Sequence, residues 1–309
     1  MAGHLQPESS ARNVPLAVRL TGPLNPVALR AAVADLLQRH EPLRTVYPEV
    51  DGVGYQDIRP VAEVDLDMTP VPTTEPELES TIENFVTRGF DITAEVPVRA
   101  LLLTLAAEEH VLVFVAHHVS VDGFSMRPLT TDLMISYEAR CAGRAPSLPP
   151  LAVQYADYTL WHRSVVGSED DPASLAARQL DYWREQLADM PERIELPIDR
   201  PRPAEEHYSG RSVQMLLPSE LRRDLDALAR AHGSTLFMVV HAAVAVLISR
   251  LSGSPDVVIG APTAGRGEPA LDDLIGMFVN SLMLRSNVDP TATFVELLEE
   301  TRETDLSAF

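Results

Sequence analysis

HVLVFVAHHVSVDGFS, His110–Ser125, is the stretch that decides how this 309-residue chain is read. Its run from His110 to Ala116 is apolar after the histidine, built of valine, leucine and phenylalanine, and too short for a helix of ordinary length. A second apolar run, VRALLLTL at 98–105, precedes it across Ala-Ala-Glu-Glu, so the two form a strand hairpin. Neither run alternates with polar residues, as expected of central strands covered on both faces. A helix is expected from Met126 to Cys141, which leaves HHVSVDG between a strand end and a helix start. Rigid scaffolds present reactive groups to a cleft at such places. Neighbouring strand residues point to opposite faces, so His117 and His118 cannot both face one cleft. One is expected to be structural and the other functional. Asp122 suits an ion pair or hydrogen bond that fixes the loop, and Gly123 a backbone shape other residues resist. Adjacent histidines bind one ion poorly, and no second cluster sits at ligand spacing, so no metal is expected. Ser125 lacks a G-x-S-x-G context, which argues against a serine nucleophile.

Outward from this stretch, Asn25-Pro26 opens a helix with Leu29, Val33, Leu36 and Leu37 on one face. A strand is expected before it over 14–20, and a short helix near 77–88. GRAPSLPP at 143–150 is a connector, and 173–187 reads as a helix. The proline-rich ELPIDRPRPAEE marks the best boundary between two lobes, 1–190 and 191–309. Beyond it the pattern predicts a strand over 211–217 and a helix capped by Ser219. A buried helix follows over 234–251, then core strands at 257–259 and 278–285.

Composition narrows the chemistry. All 25 basic residues are arginine, which excludes Schiff-base and pyridoxal-phosphate enzymes and Walker-type phosphate loops, since each needs a lysine amine. The single cysteine, Cys141, gives neither an internal disulfide nor a structural zinc set. A net charge of −20 disfavours nucleic acid and anionic membranes as partners. No apolar run is long enough to span a bilayer, and MAGHLQPESS carries no secretory signal, so a cytoplasmic location is expected.

Four separated blocks together resemble the condensation domains of nonribosomal peptide synthetases, members of the chloramphenicol acetyltransferase-like superfamily. RHEPLRTVY (Arg39–Tyr47) resembles the family's second core motif and AHHVSVDGFS its catalytic motif. YADYTLW (Tyr155–Trp161) resembles the fourth, and IGMFVNSLMLR (Ile275–Arg285) the fifth. The family's first motif and its last two have no counterpart, so the resemblance implies a fragment truncated at both ends.

The resemblance implies a mixed α/β (α+β) fold of two acetyltransferase-like lobes, a V-shaped pseudo-dimer with mixed sheets whose second lobe is incomplete. It implies amide formation between a donor thioester on an upstream carrier protein and an aminoacyl acceptor on a downstream carrier. Each rides on a phosphopantetheine arm, no cofactor is bound directly, and an adenylation domain lies nearby. By position His118 is the catalytic candidate, as general base or as a group that positions the amine. Asp122 is expected to hold the loop through Arg44, Arg266 or Arg285, and Gly123 to offer an N–H to a developing oxyanion. Asn280 and Ser281 are expected to line the tunnel or to make strand-end hydrogen bonds, and Arg39 and Arg44 to brace the fold. Competing readings are an acyl-CoA-dependent acyltransferase of the same superfamily and a non-catalytic member that recruits partners.

Overall fold

A computed structural model describes residues 9–201 and 213–308. The chain opens with strand β1 (Asn13–Thr21) and helix α1 (Pro26–Arg39). Asn25 caps α1 by accepting the Ala28 N–H, Pro26 takes the first helical position, and Leu29, Val33, Leu36 and Leu37 are buried. Four two-residue strands follow: β2 (Thr45–Val46), β3 (Glu49–Val50), β4 (Val53–Gly54) and β5 (Asp57–Ile58). Then come β6 (Val71–Pro72), α2 (Glu75–Val86), the long hairpin β7 (Val98–Ala106) and β8 (Glu109–His117), and α3 (Met126–Cys141).

The main sheet has the order β1-β8-β7-β6. β8 runs antiparallel to both neighbours, and β6 lies parallel to β7. The period of two divides β8 cleanly. Leu112, Phe114 and Ala116 join Leu29, Val33 and Leu36 of α1 and Leu129 of α3 in one buried cluster. Val111, Val113 and Val115 join Phe90 and Ile92 in another, flanked by Leu78, Ile82 and Phe85 of α2. The expected central, doubly covered hairpin is therefore present, and the sheet is open.

The second half contains α4 (Tyr155–Val166), α5 (Leu175–Gln186), α6 (Ser219–Ala231) and α7 (Leu236–Ser252). It continues through β9 (Asp256–Thr263) and β10 (Asn280–Asn287), paired antiparallel, and ends with α8 (Phe294–Ala308). Val239 and Ala242 of α7, Val257 of β9 and Leu297 and Leu298 of α8 form its core. Residues 213–217 carry no regular structure where the pattern predicts a strand; the first two residues of that expectation lie outside the described residues.

The described chain packs as two compact units, and the division is not linear. The first comprises residues up to Ser164 together with Ala264–Val279; the second comprises Val165–Thr263 and Asn280 onward. The returning segment 264–279 looks like an ordinary loop in sequence. Leu271, Leu274 and Phe278 bury themselves with Leu151, Val153, Tyr155 and Tyr158, while Ile275 enters the core beneath the sheet. Burial of these apolar side chains draws the segment into the first unit.

Candidate active site

The strand ladder continues one residue past β8. The His117 N–H donates to Pro97 O at 2.8 Å and the His118 N–H to Arg12 O at 2.7 Å. β8 ends at His117, and a turn closed by the Ser120 N–H on His117 O at 3.0 Å carries His118 and Val119. His117 is buried and meets Phe90 edge-on at 6.1 Å. Its Nδ1 accepts the Val119 N–H at 3.0 Å, which puts the neutral ring's proton on Nε2. Burial, helped by nearby Arg12 and His118, pushes its pKa down to about 4. His117 thus serves as a neutral acceptor that closes the turn after β8. His118 is half-buried, with a buried Nδ1 that has no partner among the described residues.

Asp122 ends the turn and opens the single 3-10 turn Gly123–Ser125. Its carboxylate is fully buried and its hydrogen-bond partners are numerous. Oδ1 accepts the Ser125 N–H at 2.8 Å and lies 3.0 Å from Arg266 Nη2; Oδ2 accepts the Phe278 N–H at 3.1 Å. Of the three arginines considered, Arg266 is the one that reaches Asp122. Arg44 donates instead to the carbonyls of Leu37 and Arg59, and Arg285 pairs with Asp256 and donates to Gln186 O and Ala188 O. Arg266 also donates to the carbonyls of Leu271 and Leu274 and lies 4.0 Å over the Phe278 ring. One guanidinium therefore neutralises the buried carboxylate and folds segment 264–279 around it.

Ser125 is fully buried and structural in this setting. Its Oγ accepts the N–H groups of Asp122 and Gly276, both at 3.1 Å. Its one proton goes to Asp122 Oδ1 at 2.8 Å or to Gly276 O at 3.0 Å. Gly123 differs from expectation. Its φ is not left-handed, it is exposed, and a Cβ there would meet nothing within 4 Å. Backbone freedom does not demand glycine here; the residue leaves open space beside the loop.

The glycines that packing does demand were invisible in the sequence. Gly265 has φ +63°, and a Cβ on it would collide with Phe278 O. A Cβ on Gly276 would collide with the Tyr155 ring. Arg39 and the buried His40 both reach Asp132 Oδ2 at 2.8 Å, tying α1 to α3, in keeping with a bracing role for Arg39. Asn280 and Ser281 are exposed at the start of β10 in the second unit, with Asn280 Oδ1 accepting the Ser281 N–H. That unit holds a second polar constellation: His241 Nδ1 lies 2.9 Å from Asp305 Oδ1, and Ser286 Oγ lies 3.4 Å from His241 Nε2. All three are buried, and Ser286 sits within regular β10, so the trio braces α7, α8 and β10. Among the described residues no group of three or more histidine, cysteine or acidic side chains is placed to hold a metal ion. Among them, too, no single helix is long and apolar enough to cross a membrane.

The site is thus a strand-end imidazole beside a loop whose buried aspartate is fixed by arginine, serine and a backbone N–H. The condensation-domain family model matches residues 1–309, and the chain belongs to that family. It is 47% identical over 306 residues to a probable non-canonical nonribosomal peptide synthetase of Salinispora arenicola, covering 99% of this chain and 4% of that protein. It is also 47% identical over 308 residues to an isonitrile lipopeptide synthase of Mycobacterium tuberculosis, covering 99% and 12% respectively. The chain thus spans a small fraction of the length of these curated relatives. Among solved structures, the X-domain of teicoplanin biosynthesis, in complex with OxyB, superposes with a TM-score of 0.91 at 33% identity; the match covers 99% of this chain and 67% of that one. Condensation domains are amide-forming, acyltransferase-type domains of nonribosomal peptide synthesis.

Proposed function

We propose that this domain joins a donor thioester on an upstream carrier protein to the amine of an aminoacyl group on a downstream carrier, with His118 as the catalytic side chain. The observation that carries the reading is the division of labour between the two histidines. His117 is committed to the Val119 N–H, whereas His118 is half-buried and, among the described residues, has no partner at Nδ1. An imidazole in that position takes the proton from the attacking amine, or orients the amine by accepting its hydrogen bond. Collapse of the tetrahedral intermediate then returns the proton to the departing pantetheine sulfur. Gly123, an exposed residue beside open space, supplies its N–H to the oxyanion, a contribution of about 3 kcal/mol. The phosphopantetheine arms belong to the carriers and so count as part of the substrates. An adenylation domain loads the acceptor carrier, and the reaction takes place in the cytoplasm.

The test is transfer followed by intact mass. The chain is mixed with a loaded acceptor carrier and either a loaded donor carrier or the matching acyl-CoA. Transfer from the carrier-bound donor alone, reduced about 10²–10⁴-fold in His118→Ala with an unchanged melting temperature, is the expected result. Equal use of acyl-CoA replaces the proposal with a plain acyltransferase. The likeness to the X-domain solved with OxyB favours one other reading, recruitment of a partner protein. A folded chain that transfers nothing from a broad donor panel supports that reading instead.

A further inference from the structure

Tyr155 lies on α4, more than thirty residues after the histidine motif, yet it touches the segment that fixes the motif loop. Its hydroxyl donates to Met277 O at 2.6 Å. Its ring occupies the space where a Cβ on Gly276 would stand and meets Phe278 edge-on at 5.2 Å. Burial pushes the phenol up to about 12, so the group stays protonated and stays a donor. Residues 276–278 are therefore held from outside by one side chain, at a carbonyl, at a backbone face and at a ring.

The inner side of the same tripeptide holds the motif loop. The Gly276 N–H donates to Ser125 Oγ, and the Phe278 N–H donates to Asp122 Oδ2. The Phe278 ring also carries the Arg266 guanidinium that pairs with Asp122. The described connections between segment 276–278 and the loop run through backbone groups and the Phe278 ring, the same features that Tyr155 touches from the other side. A carboxylate held by directional bonds keeps its position only while its donors keep theirs.

We propose that Tyr155 is a positioning residue, which acts through Gly276, Met277 and Phe278 to hold Asp122 and Ser125 and hence the loop that follows His118. The inference rests on the proposed role of His118 only for its kinetic consequence, since the structural coupling is testable without turnover. Tyr155→Phe removes the hydroxyl and keeps the ring. Gly276→Ala drives a methyl into that ring and is the harsher change.

The experiment is hydrogen exchange by mass spectrometry on the full chain, read over peptides covering 120–126 and 274–279, beside melting temperature and transfer kinetics. Tyr155→Phe is expected to speed exchange about tenfold in both peptides, the loss of one hydrogen bond, while peptides of α7 and α8 do not change. Where the wild-type chain transfers, kcat is expected to fall several-fold with KM for the acceptor carrier unchanged. Loosening of 274–279 alone, with 120–126 as protected as before, overturns the proposal and leaves Tyr155 as packing. So does unchanged exchange in both peptides. A wild-type chain without transfer activity counts against the role proposed for His118, and the exchange result still decides the role of Tyr155.

Discussion

At the scale of single residues, the paired histidines differ sharply in surroundings: His117 is buried and bonded to the turn after it, and His118 is half-buried. That the two differ in role is an expectation the sequence supports, because an apolar strand runs directly into them. Which one is structural is not legible, since that depends on Val119 folding back onto His117 Nδ1 and on Phe90, far away in sequence, packing against the ring. His117 also makes the protein sensitive to acid. Its folded pKa, near 4, lies below the unfolded value of about 6.5, so the unfolded chain binds the extra proton between those limits. Its stabilising contribution is complete above about pH 6.5 and is lost as pH falls towards 4. His117→Asn keeps an oxygen acceptor for the Val119 N–H and removes the titration. The variant is expected to lose about one proton of unfolding uptake in that window, measured as the slope of urea-unfolding stability against pH. An unchanged slope would place the linkage elsewhere, for example at His40, whose pKa burial also lowers.

Elements differ in how openly they declare themselves. Helix α1 is written in Asn25-Pro26 and its apolar face, α3 spans the residues expected, and β7 and β8 fall within a residue or so of their runs. Local patterns suffice there because cap, period and burial agree. Segment 264–279 is the opposite case. Its cohesion comes from Arg266 meeting an aspartate 144 positions away and from Tyr155 meeting Met277, 122 positions away, and no local pattern encodes such pairs. The same distance explains why Phe278, which reads as the start of a strand, joins the first unit while β10 begins at Asn280. Gly265 tests this segment as an element. Any side chain there faces a left-handed φ and the Phe278 carbonyl at once. Gly265→Ala is expected to lower stability by at least about 2 kcal/mol in urea titrations, from backbone strain and the forced shift of Phe278 together. A loss below a few tenths of a kcal/mol would mean that the segment accommodates the methyl freely, and its tight course would then not matter to the fold.

On the scale of the whole molecule, charge sets a property that no single contact reveals. The chain carries 45 acidic residues against 25 arginines, a net charge of −20. Pairs such as Arg266–Asp122 and Arg39–Asp132 lie inside, where salt scarcely reaches. Others, including Arg30–Asp65, Arg127–Asp273 and Arg184–Asp181, are exposed, and each contributes about 0–1 kcal/mol that salt weakens. Twenty uncompensated negative charges oppose this by repelling one another in the compact state. Raising ionic strength from about 10 mM to 150 mM shortens the screening length from about 30 Å to about 8 Å, which removes most of that repulsion. The repulsion is summed over many distant charges and the exposed pairs are few and short-ranged, so screening is expected to stabilise the fold on balance. Calorimetry across that salt range should then show a rising melting temperature, by about 2–4 °C for each kcal/mol gained. A falling melting temperature would mean that the exposed arginine–carboxylate pairs outweigh the net charge.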